Sequence, residues 1–385
     1  MQIYIKLTLM GLLLTQLFIQ PLHAKTLKVE SIQLSEKSSN LHYSDKVLLP
    51  FVSAKLPKIA KKINDYLYID IAATIAPTKA SDGIKRHFSK DDDDPLSGVS
   101  TLGYTILLNN GKLFTLQTNG EFCGAYCEEF DNSYSFDVGT GRHITLQDLF
   151  TDAGLQALIK KVYAARVLTM QQVVKQRHNQ QVKKLVNPKG ARDYVEFEPN
   201  AEDQILLYET CLAENSEAHK DEIASGDHHE LDYFSIDAKG LTFTHARCSN
   251  HADRALDQID QFRNNYTFQS LKPYLTPYAK YLLLGDATKF ARPNAITGQV
   301  YYGTIGQAPI TFLIKQPEGY DRALRGVYFY NKYRQPIELS GTGNTWTETN
   351  NDDKPQPTIK ATWQGDALIG QWQGGGRTLP FKMTL

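Results

Sequence analysis

Short strand-like segments follow one another at regular spacing near the C-terminus, and this pattern constrains the fold more than any other feature. From about residue 290 onward, Gly, Thr and aromatic residues alternate, and helical periodicity is lost. Six to eight strands are indicated, drawn from residues 298–304, 308–314, 324–331, 335–339, 345–348, 358–363, 367–372 and 377–383. Short strands separated by turn residues are typical of a small antiparallel barrel or sandwich. We therefore predict an all-β domain over residues 297–385.

Aromatic residues are concentrated in this C-terminal part. The set comprises Tyr301, Tyr302, Tyr328, Tyr330, Tyr333, Trp346, Trp363 and Trp372. We expect most of them to form the domain's own core and cross-strand pairs. An aromatic surface for a glycan or a protein is the alternative. Gly374-Gly375-Gly376 precedes a basic residue in a β-rich region and predicts a hairpin turn.

Residues 25–285 mix helical and strand patterns, which predicts an α+β domain with an antiparallel sheet and packed helices. Strands are indicated before Pro50, and Pro57 begins a helix to residue 75 whose apolar side chains recur every fourth residue. Asn109-Asn110-Gly111 joins two strands as a hairpin turn. Further elements are a strand at 133–138, a long helix at about 152–185, an irregular polar stretch at 186–232, a hairpin at 234–244 and a helical stretch at 252–262.

The first residues carry the pattern of a cleaved secretory signal. Lys6 is followed by an apolar run from Leu7 to Ile19, and Ala24 ends the segment with a small residue. The run is shorter than the ~20 residues that span a bilayer, which favours a cleaved signal. A retained N-terminal anchor is the alternative. We expect residues 1–24 to be removed, with cleavage after Ala24, and the mature protein to be periplasmic.

Charge excludes one large class of partner. Lys plus Arg and Asp plus Glu each number 42, so the formal net charge is zero. A dedicated nucleic-acid-binding protein normally has a basic face, and none is indicated here. We therefore expect no nucleic-acid partner, and no transmembrane segment in the mature chain.

Four cysteines in an exported chain predict disulfides, because thiols are oxidised in that compartment. Four cysteines allow three pairings, of which Cys123–Cys127 with Cys211–Cys248 is the most economical. The alternative is a zinc site assembled with His245 or His251, which would require thiolates kept reduced. We expect no metal and no cofactor.

Two acidic segments are candidates for steering a basic partner. One is the run Asp91, Asp92, Asp93 and Asp94, and the other extends from Glu214 to Asp232 with histidines interspersed. The simpler interpretation of the second is a solvated loop, since it contains no H-E-x-x-H metal motif. An acidic loop would nevertheless accelerate association with a basic protein.

Residues 118–150 resemble a known extracellular domain family. The matching runs are Gly124-Ala125-Tyr126, Ser133 to Arg142 (SYSFDVGTGR) and Ile144 to Phe150 (ITLQDLF). The pattern resembles "G-A-H … Y-x-F-D-x-x-T-G-K-x-L-x-L-x-D-L-F", which is shared by the lysozyme-sensing ectodomain of an anti-sigma factor and by accessory domains of peptidoglycan deacetylases. The resemblance spans about residues 27–275 and implies an α+β fold that binds lysozyme or accompanies peptidoglycan chemistry.

The chain departs from that family pattern where binding would occur. Cys123 and Cys127 flank the Gly-Ala-Tyr run at positions where many members have Gly and His. The C-terminal part, for example Tyr302 to Gly306, resembles a β-rich module appended to exported bacterial proteins of unknown role.

These observations favour a non-catalytic binding protein of the cell envelope. No nucleophile elbow, phosphate-binding loop or dinucleotide fingerprint is present. The expected ligand is a lysozyme-like peptidoglycan hydrolase or a peptidoglycan fragment, and the expected binding loop is Gly124-Ala125-Tyr126 with Tyr126 as its anchor. The alternatives are an enzyme or enzyme accessory acting on cell-wall glycan, and an immunity protein against a cell-wall toxin.

Overall fold

The structure is a computed structural model that describes residues 26–34, 47–86, 94–186, 201–225, 231, 233–286, 289–293, 296–315, 324–349 and 355–385. An α+β part comes first in the chain, and a closed antiparallel barrel of eight strands follows it. The predicted fold class is confirmed, and the C-terminal all-β part is a closed barrel and not a sandwich. Among the helices of these residues, none has the length and apolar character needed to cross a bilayer.

The chain begins with a two-stranded sheet and a helix packed on it. Strand β1 (Lys28–Gln33) pairs antiparallel with β2 (Leu48–Ser53), and helix α1 (Pro57–Ala72) follows. The buried Asn64 side chain of α1 bonds to both the N–H and the C=O of Val52, which fixes the helix on the strand. The prediction that strands end before Pro50 is wrong. Pro50 lies inside β2, where its missing N–H is tolerated because β2 pairs only β1 in that sheet.

A four-stranded antiparallel sheet forms the centre of the α+β part. Its strands are β3 (Val99–Asn109), β4 (Leu113–Cys123), β5 (Cys127–Asp137) and β6 (Arg142–His143), in that order. Gly111 has φ +79° in the turn between β3 and β4, as the Asn-Asn-Gly signal predicts. Both β4 and β5 are longer than predicted and meet at the two cysteines.

Two long helices follow a short one. They are α2 (Leu146–Leu149), α3 (Asp152–Val186) and α4 (Ala201–Ser225). The irregular stretch predicted for 186–232 is therefore wrong over α4. The apolar stripe of α4 is short, and the helix is stabilised by packing on α3 and by a disulfide, neither of which is visible in local periodicity. Arg166, which interrupts the apolar stripe of α3, is buried and donates to Asn215 of α4.

A small sheet and two short helices complete this part. Strands β7 (Phe234–Ile236), β8 (Gly240–His245) and β9 (Phe262–Thr267) are antiparallel, and α5 (Phe268–Leu271) and α6 (Pro277–Leu284) follow. The helix predicted at 252–262 is wrong, since only a single 3-10 turn forms there, at Arg254–Leu256. The Asp257 carboxylate accepts the backbone N–H groups of Ser249 and Ile259, and such bonds compete with a helix.

The barrel consists of eight sequential strands. They are β10 (Gln299–Ile305), β11 (Ala308–Ile314), β12 (Leu324–Tyr330), β13 (Pro336–Thr342), β14 (Thr345–Glu348), β15 (Thr358–Gln364), β16 (Ala367–Gly374) and β17 (Arg377–Thr384). Pairing of β10 with β17 closes it. Tyr301, Tyr328 and Trp346 lie in the barrel core as predicted, and Tyr333 is exposed. Gly375 and Gly376 form the predicted turn, both with positive φ.

The outer wall of the barrel packs against α1. Val300, Leu313, Val327 and Phe329 belong to the same buried cluster as the apolar face of that helix. Tyr302 Oη also donates to Asp65 of α1 at 2.9 Å. The barrel and α1 therefore share one core, and the domain boundary expected near 285–297 stays a prediction.

Candidate binding site at the tip of the long hairpin

Strands β4 and β5 form a hairpin that extends away from the core. They pair in continuous register from Leu113 opposite Asp137 to Cys123 opposite Cys127. Eleven residues per strand give a length of about 35 Å. The half near Leu113 is mostly buried, and the half near the cysteines alternates between half-buried and exposed side chains. The hairpin therefore presents its tip to solvent while its base is held in the core.

A disulfide closes the tip. Cys123 and Cys127 are bonded to each other across the last strand pair, with Cα atoms 4.0 Å apart. Inside that ring the Gly124 N–H donates to the Tyr126 carbonyl at 2.9 Å. The covalent link and this hydrogen bond restrict Gly124, Ala125 and Tyr126 to a small set of conformations. The pairing matches the most economical one of the sequence analysis.

Tyr126 is an exposed aromatic residue with a supported ring. Its side chain is 65% exposed. One face of the ring stacks on the imidazole of His251, with ring centroids 4.1 Å apart and planes 23° apart. The other face is therefore available for a partner. Stacking of this kind limits rotation about the side-chain torsions and keeps the ring in one orientation.

His251 is held in turn by Glu128, next to the tip cysteine. Glu128 Oε1 lies 2.9 Å from His251 Nδ1 and accepts a 2.6 Å hydrogen bond from Arg247 Nη2. These hydrogen bonds, first from His251 and then from Arg247, lower the pKa of the Glu128 carboxyl. The ionised carboxylate thus joins the hairpin to the segment that supports Tyr126.

A second disulfide anchors the supporting segment. Cys248 is bonded to Cys211 of α4 and lies between Arg247 and His251 in the chain. The same segment is fixed by Asp257, which accepts from Tyr208 Oη at 2.7 Å and from the Ser249 N–H at 3.0 Å. The two disulfides therefore restrain opposite sides of the Tyr126–His251 contact.

Gly98, just before β3, is required for the geometry of the tip. It has φ +80°, and its carbonyl accepts the Cys123 N–H at 2.7 Å. A Cβ at this position would lie 2.6 Å from the Phe122 ring and 3.0 Å from the Cys123 carbonyl. Phe122 is itself 47% exposed, so a second aromatic ring accompanies Tyr126 at the tip.

The hairpin is acidic along its length. Its acidic residues are Glu121, Glu128, Glu129, Asp131 and Asp137, and the segment from Leu113 to Asp137 has neither Lys nor Arg. Glu129 is exposed, whereas Asp137 is buried at the base. The surface close to Tyr126 therefore combines apolar rings with negative charge.

The structure describes only parts of the two other acidic segments. Asp91, Asp92 and Asp93 lie outside the described residues, and Asp94 accepts bonds from Arg86 and from the Leu96 N–H. In the second segment Glu214, Glu217 and His219 belong to α4, so the solvated-loop interpretation is wrong for them. His219 stacks on Tyr163 of α3, with centroids 3.7 Å apart.

Oxidation of the cysteines bears on the zinc alternative. Glu121, Cys123 and Cys127 bring possible donor atoms within 4.8 Å of one another. Both sulfurs are in the disulfide and lack the thiolate charge that zinc requires. Of the two histidines proposed with them, His251 contacts Glu128, and burial lowers the pKa of His245 to about 4.

The residues that carry the family resemblance at 133–150 are largely structural. Asp137 accepts the Gly139 N–H at 2.7 Å and the Tyr278 hydroxyl at 2.8 Å. Arg142 pairs with Asp148, whose side chain also completes the capping box of α2. This buried network sets the sheet-to-helix connection.

The sequence predicted the two disulfides, and Tyr126 as a binding residue stays a prediction; the contacts that support its ring were missed. Arg247 and His251 each lie more than a hundred residues from Glu128 in the chain. The available signal was the position of Cys248 between Arg247 and His251, since a disulfide restrains the residues beside it.

Comparisons with known proteins give no assignment. No family model and no curated protein matches the chain. Two solved structures are similar at low level, and both are described as DUF3298 family proteins. The one from Bacteroides fragilis is 13% identical with a TM-score of 0.33, covering 66% of this chain and 96% of its own. The one from Pseudomonas aeruginosa is 9% identical with a TM-score of 0.31, covering 66% and 97%. Neither likeness supports an argument about function.

Proposed function

We propose that this chain is an exported, non-catalytic binding protein of the cell envelope, and that the Cys123–Cys127 tip docks into the cleft of a lysozyme-like peptidoglycan hydrolase. The observation that carries the proposal is Tyr126, an exposed ring fixed between a disulfide and a stacked histidine. The family resemblance supports the same class of ligand.

Rigidity favours docking for an entropic reason. Ordering a rotamer-rich side chain at an interface costs about 0.5–1.5 kcal/mol, and ordering loop backbone costs more. In this tip the disulfide, the Gly124–Tyr126 hydrogen bond and the His251 stack impose that order before any partner arrives. Tyr is also among the residues most often found as interface hot spots.

Charge favours a basic partner. The exposed half of the hairpin bears Glu121, Glu129 and Asp131, with no positive side chain on either strand. A negative projection of this kind steers a positively charged protein toward the tip and raises the association rate. Lysozyme-type hydrolases that act on anionic cell walls are a suitable class, because a basic surface helps them bind their own substrate.

The cellular location is part of the proposal. Residues 1–24 have the pattern of a signal peptide cleaved after Ala24, and a periplasmic position would keep both disulfides oxidised. N-terminal sequencing and non-reducing mass spectrometry of protein isolated from its host would test both points together.

The binding proposal is tested with a matched pair of tyrosine variants. Tyr126→Ala should raise the Kd for a purified lysozyme by at least about thirtyfold, the loss expected of a hot-spot residue. Tyr233→Ala is the control, because Tyr233 is 67% exposed and therefore as accessible as Tyr126. The measurement is surface plasmon resonance on the oxidised protein.

Two outcomes would contradict the proposal. One is equal affinity of the Tyr126→Ala and Tyr233→Ala variants for every hydrolase tried. The other is absence of hydrolase binding together with saturable binding of soluble peptidoglycan fragments, which would move the ligand from the enzyme to its substrate.

A further inference from the structure

A buried carboxylate lies inside the barrel, far in sequence from the hairpin tip. Glu348 ends strand β14 and is only 5% exposed. Its Oε1 accepts a 2.6 Å hydrogen bond from Tyr328 Oη and a 2.7 Å hydrogen bond from Trp372 Nε1. Both donors are neutral, and both bonds end on the same oxygen. Among the described residues no other side chain donates to Glu348.

Aromatic side chains continue from Glu348 to the end of the barrel. The Tyr328 and Tyr330 rings meet edge to face with centroids 5.5 Å apart, and Tyr330 meets Tyr333 in the same way at 6.4 Å. Tyr330 and Trp372 are half-buried, and Tyr333 is 59% exposed. Exposure therefore increases stepwise from the carboxylate to the outermost ring.

These residues belong to one mouth of the barrel. Tyr330 ends β12, Glu348 ends β14 and Trp372 lies near the end of β16. Because sequential strands are antiparallel, the ends of even-numbered strands meet at the same rim. Residues 350–354, which follow β14, lie outside the described residues.

The electrostatics of this mouth favour a cation. A carboxylate removed from water loses hydration that neutral donors replace only in part, and a positive charge replaces it better. In the described part of the chain no Lys, Arg or His forms an ion pair with Glu348. Burial and the Glu348 charge raise the pKa of Tyr328 well above its usual value, which keeps that phenol a donor at physiological pH.

The outermost ring already faces an ammonium group. Lys332 Nζ lies 5.2 Å from the centroid of Tyr333, within the range of a cation–π contact. The faces of Tyr and Trp rings are negative, so rings grouped around a carboxylate form a suitable surface for alkylammonium ions.

We propose that this mouth, formed by Glu348, Tyr330, Tyr333 and Trp372, is a binding site for a small organic ammonium group, such as a primary amine side chain or a quaternary ammonium. The positive group faces Glu348, and its alkyl part lies against the aromatic rings. The site is distinct from the hairpin tip and does not depend on the hydrolase proposal.

The test uses the full-length oxidised protein with simple ammonium salts. Tetramethylammonium and n-butylammonium chloride should each change tryptophan fluorescence saturably, while sodium chloride at equal ionic strength should not. Glu348→Gln keeps an acceptor for Tyr328 and Trp372 but removes the charge, and it should weaken binding by about tenfold or more. Glu338→Gln is the matched control, since Glu338 lies on neighbouring strand β13 and pairs with Lys315 instead of with the aromatic mouth.

A second variant keeps the test decisive if Glu348→Gln does not fold. Tyr333→Ala removes an exposed ring and should weaken ammonium binding several-fold without affecting the fold. Trp363→Phe removes a tryptophan near the opposite end of the barrel and should leave the response intact.

Three results would overturn the proposal. They are the absence of saturable ammonium binding, equal binding by wild type and Glu348→Gln, and binding of N-acetylglucosamine without ammonium binding. The last result would assign the aromatic mouth to a glycan.

Discussion

The two disulfides should differ in what they do for the protein, and the difference follows from the lengths of the loops they close. Cys211–Cys248 closes a loop with a sequence separation of 37, and Cys123–Cys127 one of 4. The chain-entropy relation gives a stabilisation of about 4 kcal/mol for the first and about 2 kcal/mol for the second. The first also has a buried cysteine packed among Met170, Tyr208 and Phe262, so its removal loses packing as well.

The perturbation is paired replacement. The variant Cys211→Ala with Cys248→Ala should lose at least about 4 kcal/mol of unfolding free energy, and Cys123→Ala with Cys127→Ala about 2 kcal/mol or less. Urea unfolding followed by far-UV circular dichroism measures both, because α3 and α4 supply much of the helical signal. The tip variant, although it stays folded, should bind lysozyme more weakly, since Gly124 to Tyr126 lose their covalent restraint.

The prediction is refuted if the tip variant loses as much unfolding free energy as the Cys211–Cys248 variant, or more. A tip variant that loses as much stability as the Cys211–Cys248 variant would show that the tip disulfide is a structural element of the whole domain. A tip variant with unchanged lysozyme affinity would show that preorganisation of Tyr126 does not contribute to docking.

Three further predictions follow from the same geometry. Burial, with the adjacent Arg142 charge, lowers the pKa of His143 to about 3, so the unfolded chain binds a proton between about pH 6.5 and pH 3 that the folded chain excludes. His143 should therefore account for about 2 kcal/mol of the unfolding free energy lost from pH 7 to pH 5, and denaturant unfolding of His143→Phe should show a shallower pH slope. Gly98→Ala should destabilise the tip, visible as faster amide exchange at Cys123, because a Cβ would meet the Phe122 ring; unchanged exchange would contradict this. The association rate with lysozyme should fall steeply between roughly 0.01 and 0.15 M salt, as stopped-flow would show, and a flat profile would exclude steering.

The sequence was most informative where local patterns alone determine structure. The barrel strands, α1, α3 and the Asn109-Asn110-Gly111 turn each follow from periodicity or from turn residues that need positive φ. Prediction failed for α4 and for residues 252–262. In α4 the stabilising contacts come from α3 and Cys248, and near 252 the side chain of Asp257 replaces helical hydrogen bonds.

The candidate site likewise combines residues that a local pattern indicates with residues that only long-range contacts bring together. Tyr126 between two cysteines is a local signal, and the Cys123–Cys127 link was predicted from the short spacing and the expected export. Its support by His251 and Glu128 is a long-range contact that no pattern within the hairpin indicates. The carboxylate in the barrel was not predicted, although strand alternation places Glu348 on the same face of β14 as Trp346, which was expected in the core.

The wall shared by α1 and the barrel has a practical consequence for dissecting the protein. A fragment beginning near Gln299 would carry all eight strands, yet it would expose Val300, Leu313, Val327 and Phe329 as an uncovered apolar surface. Such a fragment should self-associate, and the remainder without the barrel should melt early because one side of α1 would lose its cover. The two halves are therefore best studied by substitution within the intact chain.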